Sequence, residues 1–113
     1  TCETPVAFCD WLPTLVEKTP GKVDGVSFAP LLEGKPMAKR EYLYWEQIGY
    51  NIPKKEWNRA SFTQAVRFGN WKAVRPPRGG AVELYDLGAD PSETKNVAGE
   101  KPDLVKRAEG YMK

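Results

Sequence analysis

Histidine is missing from this 113-residue chain. Its absence removes serine-histidine-aspartate and cysteine-histidine catalysis, the two-histidine zinc protease motif and the two-cysteine, two-histidine zinc finger together. Cysteine is nearly as scarce. Cys2 and Cys9 have neither a CxxC spacing nor enough company to hold zinc, and two thiols do not decide a redox compartment. Both are expected to be buried free thiols, the usual state of unpaired cysteine. No run of about 18 apolar residues is present to span a membrane. No charged segment followed by an apolar one marks a signal peptide. Internal repeats and low-complexity segments are absent as well. The first residue is Thr1 rather than Met, which fits a trimmed product or a piece of a longer protein better than a complete primary translation product.

Charge is present in both signs and unevenly spread. The net charge is +2, yet between Arg40 and Gly80 eight basic residues (Arg40, Lys54, Lys55, Arg59, Arg67, Lys72, Arg75, Arg78) stand against Glu41, Glu46 and Glu56. An anionic partner near this stretch fits that excess, as does a solvated face balanced by carboxylates from elsewhere in the chain. The length suits one small domain with a single core.

The strongest local signal is Gln64 to Arg75. Gly69-Asn70 lies between two runs of β-formers, and glycine at the first central position suits a two-residue type II′ turn. The register then follows: Phe68 opposes Trp71, Arg67 opposes Lys72, Val66 opposes Ala73 and Ala65 opposes Val74. Opposed residues share a face, so Val66, Phe68, Trp71 and Ala73 form the core side. The other side sets Arg67 across from Lys72, a like-charge pair that calls for a carboxylate or other anion nearby.

Around this hairpin the remaining elements are short. Asp10 is read as the N-cap of a helix from Trp11 to about Lys18, ended by Pro20-Gly21. Ser27 caps a single turn from Phe28 to Leu32, closed by Gly34. Tyr42 to Trp45 reads as a strand with Leu43 and Trp45 on one side and Tyr42, Tyr44 and Glu46 on the other. From Gln47 to Ser61 no period holds, which predicts a long loop. Pro76 to Gly80 is a turn, and Val82 to Leu87 a strand antiparallel to the hairpin, because so short a link cannot make a crossover. Asp90-Pro91-Ser92-Glu93 has the layout of a capping box, which predicts one helical turn. A last helix from Pro102-Asp103 carries Leu104, Val105, Ala108, Tyr111 and Met112 at helical spacing. The sum is an α+β fold: a four-stranded antiparallel sheet with a C-terminal helix packed on one face, preceded by a short helical segment.

In order, Phe8-Cys9-Asp10-Trp11-Leu12-Pro13-Thr14-Leu15, Asp24 to Gly34, Tyr44-Trp45-Glu46, Ala65 to Val74, Glu83 to Leu87 and Asp90 to Val97 resemble the C-terminal part of type I, formylglycine-dependent sulfatases and arylsulfatases. The resemblance implies a division into residues 1–40, a segment linking to a catalytic α/β domain, and residues 41–113, a sulfatase-like C-terminal subdomain. It also implies that the nucleophile and the calcium ligands lie in that N-terminal domain. Cys2 is followed by Glu3-Thr4-Pro5 and Cys9 by Asp10-Trp11-Leu12, so neither fits the Cys/Ser-x-Pro/Ala-x-Arg motif from which formylglycine is made. No Asp-Asp pair for the metal is present either.

No catalytic residue, metal ligand or cofactor is therefore assigned to this chain; calcium and formylglycine are expected in the catalytic domain, its partner, with a sulfate ester as substrate. The candidate substrate-binding residues are Trp45, Glu46, Tyr50, Trp57, Arg67 and Lys72. The last two belong to the family's Arg-x-Gly-x-Trp-Lys hairpin, where a structural role is the simpler reading. The alternative is a non-enzymatic module binding a sulfated glycan or single-stranded nucleic acid through Tyr44, Trp45, Tyr50 and Trp57 among basic residues. No RNA-recognition motif or Gly-x-x-Gly clamp supports the nucleic-acid version. Periplasmic, secreted and lysosomal settings are all compatible with the resemblance.

Overall fold

In the computed structural model, which describes residues 4–16 and 23–113, the hairpin at Gly69-Asn70 closes in the expected register. Gly69 takes φ 56°, a left-handed value that glycine adopts without steric cost. Four strands follow one another across the sheet: β1 (Leu43–Asn51), β2 (Glu56–Phe68), β3 (Trp71–Arg75) and β4 (Glu83–Asp86). All neighbours are antiparallel. Helix α3 (Pro102–Tyr111) covers one face, where Ala108 and Met112 are buried with Val66, Phe68, Ala73, Val82 and Leu84. Trp71, Leu104, Val105 and Tyr111 pack against this cluster. Full burial of side chains such as Val66 and Leu84 stabilises by roughly 1.5–3 kcal/mol each.

The chain divides into two units, Thr1–Arg40 and Glu41–Lys113. The first contains α1 (Trp11–Leu15) and α2 (Ala29–Leu32). Asp10, completely buried, organises it. One carboxylate oxygen accepts from the Ala7 amide and the other from the Val26 amide, at 2.7 and 2.8 Å. Arg40 adds a two-pronged ion pair at 3.0 and 2.6 Å. Thr14 then donates its hydroxyl to the Asp10 carbonyl and accepts from the Phe28 amide. Gly25 lies so near this corner that a Cβ would stand 2.0 Å from the Cys9 carbonyl oxygen. After α2, the amides of Gly34 and Lys35 bond the carbonyls of Leu31 and Pro30, a Schellman closure with Gly34 at φ 70°.

Four expectations are corrected. The stretch from Gln47 to Ser61 is not a long loop; β1 and β2 run through it, leaving only Ile52 to Lys55 as the connection. Its Gly, Asn and Pro residues serve a turn and a bulge, which together break the alternation that marks a strand. The first helix stops at Leu15, because Val16 is extended (φ −116°, ψ 112°), and Asp10 makes no side-chain cap there. Its carboxylate is committed to Arg40, Ala7 and Val26 instead. The continuation to Lys18, the stop at Pro20-Gly21 and Cys2 lie outside the described residues. Asp90 to Glu93 forms a turn rather than a helix: Glu93 sits at φ 55°, and the Asp90 carboxylate accepts from the amides of Thr94 and Lys95. Cys9, expected buried, is exposed.

Candidate functional site

The outer half of the β1–β2 hairpin departs from regular pairing. Gln47 pairs with Thr63 and Gly49 with Asn58, so Ile48 alone spans the stretch opposite Arg59, Ala60, Ser61 and Phe62. Extra residues on one strand bend it and re-aim its side chains. Side-chain bonds hold this bulge in place of the ladder: Ser61 Oγ accepts from the Gly49 amide and donates to the Asn58 carbonyl, both at 2.7 Å. A Cβ on Gly49 would lie 2.6 Å from that hydroxyl oxygen, so glycine suits the close approach. An open groove of about 570 Å³ results, lined by Ile48, Trp57, Arg59 and Phe62. Beyond it Tyr50 opposes Trp57, with ring centroids 5.0 Å apart at 67°. The turn is closed by Asn51, whose side-chain oxygen accepts from the Lys54 amide, and by Lys55 at φ 53°.

The six candidate binding residues fall in three places. Tyr50 and Trp57 are together near the hairpin tip, 49% and 63% exposed. Trp45, opposite Ala65, shares the face away from α3 with Arg67 and Lys72. Glu46 is on the helix side, opposite Gln64, and accepts a hydrogen bond from Tyr44. Burial first, and that bond second, hold the Tyr44 phenol above its usual range.

The anion expected beside Arg67 and Lys72 is Glu93, whose two carboxylate oxygens each accept from Lys72 Nζ at 2.7 Å. Lys72 is thereby neutralised by the chain itself. Arg67 Nε is buried without a hydrogen-bond partner among the described residues. Of the eight basic residues between Arg40 and Gly80, Arg40, Lys72 and Arg75 make ion pairs among the described residues. No such pair involves Lys54, Lys55 or Arg59.

Ile48 and Phe62 lie in the groove unanticipated, because a bulge erases the period that would place them. The signal available was Gly49 within an otherwise strand-like run. Gln64 was seen only as part of a strand. Its buried amide donates to the Tyr44 hydroxyl and to the Met112 carbonyl and accepts from Arg75. Among the described residues no cluster of three or more His, Cys, Asp or Glu side chains occurs. No helix among them is long and apolar enough to cross a membrane.

Comparison with known proteins gives a consistent set. The model of the family described as N-sulphoglucosamine sulphohydrolase, C-terminal, matches residues 4–108. An N-acetylgalactosamine-6-O-sulfatase of Bacteroides thetaiotaomicron is 32% identical over 77 residues, covering 66% of this chain and 15% of the relative. An uncharacterized sulfatase of Schizosaccharomyces pombe is 33% identical over 78 residues, covering 66% and 12%. The solved structure of a 2-O GAG sulfatase superposes with a TM-score of 0.72 at 27% identity, covering 91% of this chain and 23% of that one. The chain thus spans less than a quarter of each of these proteins.

Proposed function

This chain belongs to the N-sulphoglucosamine sulphohydrolase C-terminal family, and from that footing we propose that it is the C-terminal module of a sulfuric ester hydrolase, supporting a catalytic domain that precedes it and bordering the substrate cleft. The observation that carries this reading is the match over residues 4–108, nearly the whole chain, rather than one short motif. The fold supplies a rigid frame for such a role. Lys72 and Glu93 lock the loop after β4 to the sheet, and Gln64 locks the sheet to α3.

The chemistry resides in the preceding domain under this proposal. A formylglycine there would supply the nucleophile, and a calcium ion would supply charge to polarise the sulfate oxygens. Neither Cys2 nor Cys9 lies in the modification motif, which supports placing the nucleophile in that domain. The residues proposed to border the cleft are Tyr50 and Trp57 on the hairpin tip, with Trp45, Glu46, Arg67 and Lys72 supporting the sheet that carries them. The surface proposed to meet the catalytic domain includes Phe8, Trp11, Leu12 and Leu15, which are 91%, 50%, 54% and 73% exposed. Apolar surface of that extent marks an interaction site.

The test has two parts. The reading frame upstream of Thr1 should contain a Cys/Ser-x-Pro/Ala-x-Arg motif, and its product should hydrolyse an aryl sulfate. The 113-residue chain by itself should show no turnover above a matched blank. Calcium-dependent hydrolysis by the short chain, or an upstream frame without the motif, would overturn the proposal.

A further inference from the structure

Shape, aromatic surface and uncommitted positive charge coincide at one place in the sheet unit, the groove formed by the bulge in the first hairpin. We infer that this groove binds a sulfated sugar unit of a glycan, with the Trp57 indole stacked against the sugar ring and the Arg59 guanidinium paired with a sulfate group. The choice of a sulfated sugar over another anion rests on the sulfatase reading; the existence of the site rests on the groove itself.

Trp57 is 63% exposed, yet the Tyr50 ring packs against it at 67° and restrains it. A large aromatic surface held in water by a neighbour is ready to stack, and little side-chain freedom remains to be lost on binding. Arg59 lines the same groove and makes no ion pair among the described residues. Its planar fork matches two oxygens of an anion at once. Lys54 and Lys55 follow on the turn, where Glu56 is the only carboxylate, so the tip carries a surplus of positive charge. Ile48 and Phe62 complete the lining with apolar surface suited to the C–H face of a sugar. The volume, about 570 Å³, falls within the range of roughly 300–1,000 Å³ usual for small-molecule sites.

Local construction favours binding as well. The bulge is pinned by Ser61, which bridges the Gly49 amide and the Asn58 carbonyl, so the walls are set before a ligand arrives. Arg67 and Lys72, the other cationic pair on this sheet, are poorer candidates. Lys72 is spent on Glu93, and Arg67 Nε is buried.

The test is a calorimetric titration of the 113-residue chain with a heparin-derived tetrasaccharide, the same tetrasaccharide after chemical desulfation, and an oligothymidylate of equal charge. Expected is saturable binding of the sulfated sugar, loss of binding on desulfation, and about tenfold or greater weakening in both Trp57→Ala and Arg59→Ala, each checked for folding by circular dichroism. Lys106→Ala, an exposed cation on α3, should bind as the unaltered chain does. Absence of saccharide binding, equal weakening by Lys106→Ala, or equally tight binding of the oligothymidylate would overturn the inference. Hydrolysis of a small aryl sulfate by the product of the full reading frame reports on the sulfatase reading alone, because that substrate carries no sugar.

Discussion

The Gln64 side chain donates to the Met112 carbonyl at 2.9 Å, joining the middle of β2 to the end of α3. Met112 is the C-cap residue of that helix, where carbonyls lack partners within the helix. The same amide group reaches the Tyr44 hydroxyl at 2.6 Å, and its oxygen accepts from Arg75 at 2.8 Å. One side chain thus ties three strands to the helix.

Replacing Gln64 with Met keeps the volume and removes every one of these bonds. Unpaired buried polar groups cost about 1–3 kcal/mol each, so Gln64→Met should destabilise by about 2–3 kcal/mol. Faster hydrogen exchange in the last turn of α3 should accompany the lower unfolding midpoint. Unchanged exchange there would mean that the helix end is held by packing alone.

Trp71 and Lys72 are adjacent and face opposite sides of the sheet. Trp71→Ala removes an indole packed against the core and should cost about 3 kcal/mol. Lys72→Ala breaks the bond to Glu93 but relieves the like charge opposite Arg67, and should cost about 1 kcal/mol or less. Equilibrium unfolding of the two variants checks the assignment of faces, which fails if they are equally destabilised.

Asp10 and Arg40 predict an acid limit for the first unit. The Arg40 guanidinium, aided by the Ala7 and Val26 amides, outweighs burial and holds the Asp10 carboxyl well below its usual range. A folded-state value below the unfolded one gives stability that is fully present above about pH 4 and is lost as the pH falls through the folded value. The Val26 amide resonance, followed by NMR, should therefore hold steady from pH 7 to about pH 5 and shift only in strong acid. Arg40→Ala leaves a buried carboxylate without its cation and should cost about 3–5 kcal/mol at neutral pH. A midpoint for Val26 near that of an ordinary aspartate would contradict the assignment.

Two glycines should respond differently to alanine. At Gly25 the new methyl would meet the Cys9 carbonyl oxygen at 2.0 Å, so Gly25→Ala should disrupt the corner, at a cost of about 3 kcal/mol or more. At Gly34 nothing lies within 4 Å, and only the left-handed backbone at φ 70° opposes a side chain, about 1–2 kcal/mol. Thermal unfolding that ranks them in the reverse order would refute this account.

What could be read from the residues was what local chemistry decides. The Gly69-Asn70 turn carries its own register, so the pairing of Phe68 with Trp71 and the need for an anion at Lys72 followed without the fold. Glu93 was legible as a carboxylate but misread in role: a capping box is a local proposal, and Lys72, across the sheet, outcompeted it. Asp10 was misread for the same reason, since Arg40 lies thirty residues away. The groove was the least legible part. Its walls depend on a register break at Ile48, and a bulge removes the alternation from which a strand is recognised. Tyr50 and Trp57 stand out by residue type, whereas their edge-to-face contact depends on the strand pairing.

The order of the strands across the sheet is also their order along the chain. For a folding polypeptide this is a sequence of short closures, each adding one strand to a neighbour just synthesised, with little loop entropy lost at any step. The tight hairpin between β2 and β3 is the shortest of these closures. Helix α3 is the last element in chain order, and its packing takes the apolar face of the sheet out of solvent. A chain shortened before Pro102 would keep every strand and lose the cover, and it would be retained by a hydrophobic surface where the full chain is not.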